Sequence, residues 1–499
     1  MMRSMLSAVS GLRAHQTKMD VIGNNIANVN TVAFKSGRVT FQEIFSQTLR
    51  GASAPDLTTG RGGTNPMQVG LGLGIGSIDN IMTTGNPQRT DNQTDLSIEG
   101  EGFFIVKGGI SDTFRFTRAG NFILDEQANL TTADGLNVYG WDVDPNTGEI
   151  DTESELVPIN LYNGKRIISA KQTSKATFEG NLDSSRKVIT EITDPDDSTQ
   201  KLSAITGTSN TMELLRKVER SGAGVINVPY TVYDSLGNDY TITLSFVKNE
   251  VTTDPATGKP VTTWFWYTVS DDTRQGILNH EYNVKNGLSA TDPGAKVPDI
   301  DPTTVVPAQG YITFDDTGKL INVEPSSSLF PGIKLATDIR IEPDANSGTS
   351  AFDVTLDFSS LTQYNANSSV AAISVDGYPV GELKTFSIGS DGIITGVYSN
   401  GQMRALGMIA LAFFNNPAGL EKVGSNLYIP TPNSGEFEKA YKPGTGGTGT
   451  LAPSTLEMSN VDLSKEFTEM IITQRGFQAN SRIITASDEM LQELVNLKR

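Results

Sequence analysis

The sequence predicts a mainly β fold with α-helical termini, and three observations carry that prediction. Apolar residues recur every seventh position near both ends of the 499-residue chain. Between the ends the apolar pattern has period two, which suits half-buried strands. Gly, Asp, Asn and Pro punctuate that pattern at short intervals, as the turns of an all-β body require. The expected architecture is a pair of N- and C-terminal helices packing together as a coiled coil, with β-rich domains inserted between them.

The first helix is expected over residues 3–29. Met5, Leu12, Met19 and Ile26 form its stripe, with Ile22 beside them. A heptad stripe on a helix seeks another helix. The helix should end in the Asn-rich run 23–30, because Asn competes for backbone hydrogen bonds and tolerates left-handed conformations. Residues 31–67 are read as a connecting segment of mixed helix and strand signals running into a Gly/Thr/Pro-rich arm. Val69–Gly76 alternates apolar residues with glycine and is read as a strand close to other backbone. Its spacing fits no phosphate-cradling loop.

Short strands follow at 96–106, 114–124 and 136–143. A hairpin is expected at 228–247 around Leu236-Gly237-Asn238, with further strands at 261–269, 311–323 and 384–402. The acidic, Pro-containing stretches 190–200 and 289–308 are read as loops with too little apolar content for a core. Residues 442–454 (KPGTGGTGTLAPS) are read as a flexible tether. The last helix is expected after Ser459, with Asp462 completing a capping pair. It carries Leu463, Met470, Phe477, Ile484 and Leu491, with Phe467 and Val495 on a companion row and polar Gln474, Ser481 and Asp488 beside them. The expected helical part is 1–30 with 459–499, and the expected connecting part is 31–67 with 442–458, around a β-rich body.

Composition excludes several functions. The net charge is −18 and the chain has no cysteine and two histidines, His15 and His280. Such acidity argues against nucleic acid. Two histidines leave little room for Ser-His-Asp catalysis or a His-rich metal site, and no cofactor is expected. No apolar run approaches a membrane span, and the first dozen residues make a poor secretory signal. The oxygen-rich set Asp142, Asp144, Asn146 and Glu153 has calcium-loop spacing, but Thr147 stands where that loop needs glycine, so a turn is expected. Half of Trp264, Phe265, Trp266 and Tyr267 should be core on an alternating strand; the other half could form a sugar platform. The helical tips are expected to be loose in a free chain and to order when copies assemble.

The segment DVIGNNIANVNTVAFKSG (20–37), with Asn24, Asn25, Asn28, Asn30, Thr31, Phe34 and Lys35, resembles the signature of the flagellar rod and hook axial proteins. LSIEGEGFFIV (96–106), FTRAGNFILDEQANL (116–130), residues 393–428 and residues 459–499 resemble the same family in the same order, most closely its hook branch. Ala33 departs from the family's usual glycine, so a positive φ is not expected there. The resemblance implies a tubular homopolymer with the terminal helices as an inner domain around a central channel, a β-rich middle domain (68–165 with 366–441) outside them, and an enlarged β-rich outer part (166–365). It implies export through a type III apparatus without a cleaved signal, and a location in the flagellum outside the cell. It also implies partners in the rod, the hook cap and the hook–filament junction, with a mechanical function carrying torque. A distal rod protein is the nearest alternative, disfavoured by the long middle. A secreted glycan-binding protein using residues 264–267 is the alternative of another class.

Overall fold

The computed structural model describes residues 2–55, 60, 62–108, 113–144, 147–203, 211–222, 224–253, 258–270, 283, 296, 308–322, 338–343 and 348–497. Two compact units result: Met1–Arg166 with Leu383–Tyr398 and Gln402–Arg499, and Ile167–Glu382 with Ser399–Gly401. Among the described residues the longer helices are α1 (Met2–Ala27), α2 (Thr211–Ser221) and α3 (Leu463–Asn496), the first and last in the first unit.

The first unit has an antiparallel sheet with neighbouring strands Ile393–Tyr398, Met403–Ile409, Asn137–Asp142, Phe103–Lys107, Arg115–Thr117, Leu427–Ile429 and Glu421–Gly424. Alternation buries Phe103, Ile105, Phe116, Trp141, Met408 and Tyr428 in one core. Phe414 meets Phe116 and Phe103 edge to face, with centroids 4.8 and 5.9 Å apart, the arrangement that ring quadrupoles favour.

Segment 442–454 is not a tether. Thr450–Pro453 pairs with Leu96–Glu99, and Thr455–Glu457 continues onto Pro87–Arg89. The glycines that suggested freedom serve close approach: a Cβ at Gly449 would lie 2.1 Å from the Glu99 carbonyl oxygen. The mixed signals of 31–50 resolve into strands. Gly37–Glu43 pairs with Leu73–Asn80, and Ser46–Arg50 with Met67–Gly70. Each pair stands as a two-stranded ribbon. The expected strand 69–76 is broken at Gly72, whose φ of 132° only glycine adopts freely.

The second unit has a five-stranded antiparallel sheet: Ile226–Tyr233, Asp239–Thr253, Pro260–Ser270, Ala308–Phe314 and Leu320–Asn322. Its first two strands form the expected hairpin, in register from Tyr233 opposite Asp239. A four-stranded sheet runs Asp338–Ile341, Phe352–Thr362, Lys175–Asn181, Ala371–Val375. One core joins both sheets through Phe178, Leu244, Phe246, Trp264, Trp266 and Phe358. Because Ala371–Val375 pairs with Lys175–Asn181, the chain returns to the first unit at residue 383, not 366.

The stretch 190–200 is partly core, contrary to expectation. Ile192, with neighbouring Ile189 and Leu202, packs with Leu215 and Val218 of α2 against Phe265, Tyr267 and Tyr311. Helix α2 was not anticipated; its few apolar positions are diluted by charge, yet they fall on one face. Apart from residues 296 and 308, the expected loop 289–308 lies outside the described residues, as do positions 254–257.

Candidate polymerisation interface

Helices α1 and α3 pack along each other within one chain. Their pairing is as expected, but the facing rows differ. The most deeply buried positions are small or polar: Ala8, Gly11 and Ala14 on α1, Thr473 and Ser487 on α3. Ile22 joins them. Met5, Leu12, Met19, Ile26, Met470, Phe477, Ile484 and Leu491 flank this seam and are half-buried. Leu463, Phe467 and Val495 stay exposed, Phe467 by 49%. The heptad count therefore located both helices while missing the seam by about one position around each.

Small residues set the helix separation. A Cβ at Gly11 would lie 2.8 Å from Asn480 Nδ2, and one at Gly476 would lie 2.8 Å from the His15 ring. Lys18 Nζ donates to Glu469 Oε2 at 2.6 Å across the pair. His15 is edge-on to Phe41 at 5.6 Å. Its buried Nδ1 has no hydrogen-bond partner among the described residues. Burial first, and the Lys18 charge second, hold its pKa below the usual histidine value. At the start of α3, Asp462 itself is the N-cap, accepting from the Ser464 and Lys465 amides. Ser459 Oγ instead accepts from Val461 N–H at 3.3 Å.

The signature segment ends α1 and fastens it to the β body. Asn28 Nδ2 donates to the Asn24 carbonyl at 2.9 Å, and Thr31 Oγ1 to Asn28 Oδ1 at 3.1 Å. Asn25 both accepts from Gly37 N–H and donates to Gly37 O at 2.9 Å. Asn30 is exposed. Ala33 has a φ of 56°, against expectation. It is fully buried, its N–H donates to Glu457 O at 2.7 Å, and the preceding carbonyl of Val32 accepts from Asn426. Tertiary hydrogen bonds thus hold alanine where glycine is usual.

Beyond Ala33, Phe34 lies under Lys422 Nζ at 4.9 Å. Lys35 is wholly buried; its Nζ donates to Glu457 Oε1 at 2.5 Å and to Thr83 O at 2.7 Å. The same Oε1 accepts from Gly85 N–H at 2.8 Å, while Arg118 Nη1 approaches Oε2 at 3.4 Å. Burial lowers the Lys35 pKa, and the Glu457 charge opposes that shift. Asn460 completes the clasp, accepting from Ser36 N–H and donating to Ile81 O, each at 2.8 Å. Sequence reading singled out Lys35 but not Glu457, Arg118 or Asn460. No local signal marks partners separated by 339 to 424 positions.

Neither of the other two candidate sites gathers site chemistry. Asp142 is paired with Lys165 and caps its neighbour Val143 N–H, while Asp144 and Glu149 close a turn. Asn146 is outside the described residues, among which no His, Cys, Asp or Glu grouping could hold a metal. Residues 264–267 are all buried, Trp264 and Trp266 in one core and Phe265 and Tyr267 in the other. The sugar platform is thereby removed, because α2 covers the face expected to be free.

A chain whose two ends join in one helix pair and are clasped to its β body has the design of a structural subunit. Four family descriptions match it: Flagella basal body rod protein over residues 5–35, Flagellar hook protein FlgE/F/G D1 domain over 97–170, Flagellar basal body protein FlaE D2 domain over 223–378, and Flagellar basal body rod FlgEFG protein C-terminal over 452–497. The flagellar hook protein FlgE of Borreliella burgdorferi is 39% identical and that of Treponema pallidum 36%, each over 100% of both chains. The flagellar basal-body rod protein FlgG of Bacillus subtilis is 29% identical, also over 100% of both. The chain belongs to the flagellar hook protein FlgE family.

Proposed function

We propose that this structural subunit of the flagellar hook assembles through its terminal helices into a curved tube that passes torque from rod to filament. The observation carrying this reading is apolar surface left over after α1 and α3 have paired. Phe467, Ile471, Ile472, Ile483 and Met490 remain largely exposed on α3. Covering each contributes roughly 1.5–3 kcal/mol, and a polar, small-residue seam suits a helix with neighbours on several sides. Copies of this chain are the natural cover. Rod, cap and junction proteins would meet the same ends, and export would precede assembly outside the cell.

The long middle does not by itself separate hook from rod, since a relative named as a rod protein spans the whole chain. The higher identities to hook proteins favour the hook. Purified full-length chain is expected to grow into tubes, and chain lacking residues 462–499 is not. In a deletion strain, electron microscopy should show an intact rod without a hook. Polymerisation of the truncated chain at the same concentration would overturn the role of the helices.

A further inference from the structure

Beside the clasp, the first unit holds a cavity of about 200 Å³. Phe103, Phe413, Phe414, Met82 and Pro417 give it apolar walls, and Arg118 brings a guanidinium into them. Arg118 is 3% exposed. Its Nη1 reaches Glu457 Oε2 only at 3.4 Å, and its buried Nε has no hydrogen-bond partner among the described residues. Buried polar groups are almost always paired, so this orphan donor marks a place for an acceptor. Phe103 takes one face of the guanidinium, with Cζ 5.3 Å from the ring centroid, which leaves the edges for hydrogen bonds. Charge points the same way. Two cations, Lys35 and Arg118, share the single carboxylate of Glu457, and none of the three side chains is more than 4% exposed. One buried positive charge is therefore left over. Glu101 also lines the cavity, but it is exposed and makes no ion pair with Arg118 among the described residues. Burial lowers the Arg118 pKa, and Glu457, then Glu101, offset that shift in part.

We infer that this cavity binds a small monocarboxylate with a flat apolar body, its carboxylate on the guanidinium edge of Arg118 and its body among the phenylalanines. With Nη1 turned to Glu457, the edge formed by Nε and Nη2 carries no bond among the described residues. A carboxylate accepts from two parallel N–H groups of one guanidinium, and such forked pairs are the strong ones. Apolar walls with one convergent polar group are the usual make-up of a small-ligand site. A cavity of about 150 Å³ holds benzene, so this larger one has room for such a ring with a carboxylate attached. Water alone would satisfy the donor and leave the surplus charge unmatched. Glu101 at the mouth repels a second carboxylate, which favours a monoanion over a dianion. The ligand would sit on the guanidinium that holds Glu457, and by binding only the folded unit it would stabilise the clasp between the chain's ends. None of this depends on assembly.

The test titrates benzoate into full-length chain carrying carbon-13 methyl methionine. The Met82 methyl signal, assigned with Met82→Leu, is followed by nuclear magnetic resonance. Expected is a saturable shift of that signal with a Kd of about 1 mM or below. Benzamide, the uncharged counterpart, and phthalate, with its second carboxylate, should each bind at least about tenfold more weakly. Arg118→Lys keeps a cation beside Glu457 but loses the fork, and should weaken benzoate by about tenfold or more. Glu101→Gln, at an exposed position, should tighten it by about two- to threefold. The proposal is overturned if Met82 shows no saturable shift, if benzamide binds as well as benzoate, or if inorganic phosphate shifts the signal as much. Unchanged benzoate binding by a folded Arg118→Lys chain also overturns it. Should that variant fail to fold, the benzamide comparison and Glu101→Gln decide the matter, and weaker binding by Glu101→Gln counts against the site.

Discussion

Lys35 and Glu457 lie 422 positions apart in sequence, yet their side chains meet at 2.5 Å with almost no exposure to solvent. Arg118 adds a second cation on the other carboxylate oxygen. Glu457→Ala would leave both cations buried without their anion. Breaking a buried pair in this way costs about 3–5 kcal/mol, and urea unfolding should show the loss in the first unit's transition. The double change Lys35→Met with Glu457→Leu should restore part of it, because no lysine is then left uncompensated.

The two seam glycines should behave unlike Gly23, which sits on the same helix as Gly11 with nothing near its missing side chain. Gly23→Ala should stabilise the first unit by up to about 1 kcal/mol through helix propensity. Gly476→Ala removes the same propensity cost but drives a methyl into the His15 ring. It should gain less or reverse sign. Thermal unfolding followed by helical circular dichroism measures both.

His15 should make the helix pair acid-sensitive. Its pKa is lowered in the folded chain, so below the ordinary histidine value of 6.5 the unfolded chain takes up the proton first. Stability must then fall as pH drops from 6.5 towards the folded pKa. Above 6.5 both forms are neutral and the contribution is constant. Between pH 7.5 and 5.5, His15→Gln should lose less stability than the unaltered chain; equal losses would refute the assignment.

Leu215→Ala tests the helix that covers the second face of the five-stranded sheet. Leu215 is fully buried against Phe265 and Tyr267, and truncation of such a leucine costs about 2–5 kcal/mol. Tryptophan fluorescence should report an earlier transition for the second unit, whose Trp264 and Trp266 lie in the neighbouring core.

What could be read from residue order was whatever depends on nearby spacing. Heptads at Met5 to Ile26 and Met470 to Leu491 announced both helices, and alternation around Leu236-Gly237-Asn238 announced a hairpin. The seam could not be read, because close helix approach uses Gly11, Gly476 and Thr473, which carry no hydrophobic signal. Ala33 misled for a related reason. Its φ is imposed by bonds from Glu457 and Asn426, and no neighbour in sequence records them. The run of glycines after residue 443 resembles a linker in composition, but glycine also marks places where two backbones nearly touch.

The pairing of Thr450–Pro453 with Leu96–Glu99 has a kinetic corollary. A ribosome delivers the early strand long before its mate, so the first unit cannot close while the chain is still being made. Folding must wait for the late strands, and non-local closure of this kind is slow. A newly made copy therefore has an interval in which the early strands of the first unit lack their mates, and no cysteine is present to lock a premature closure.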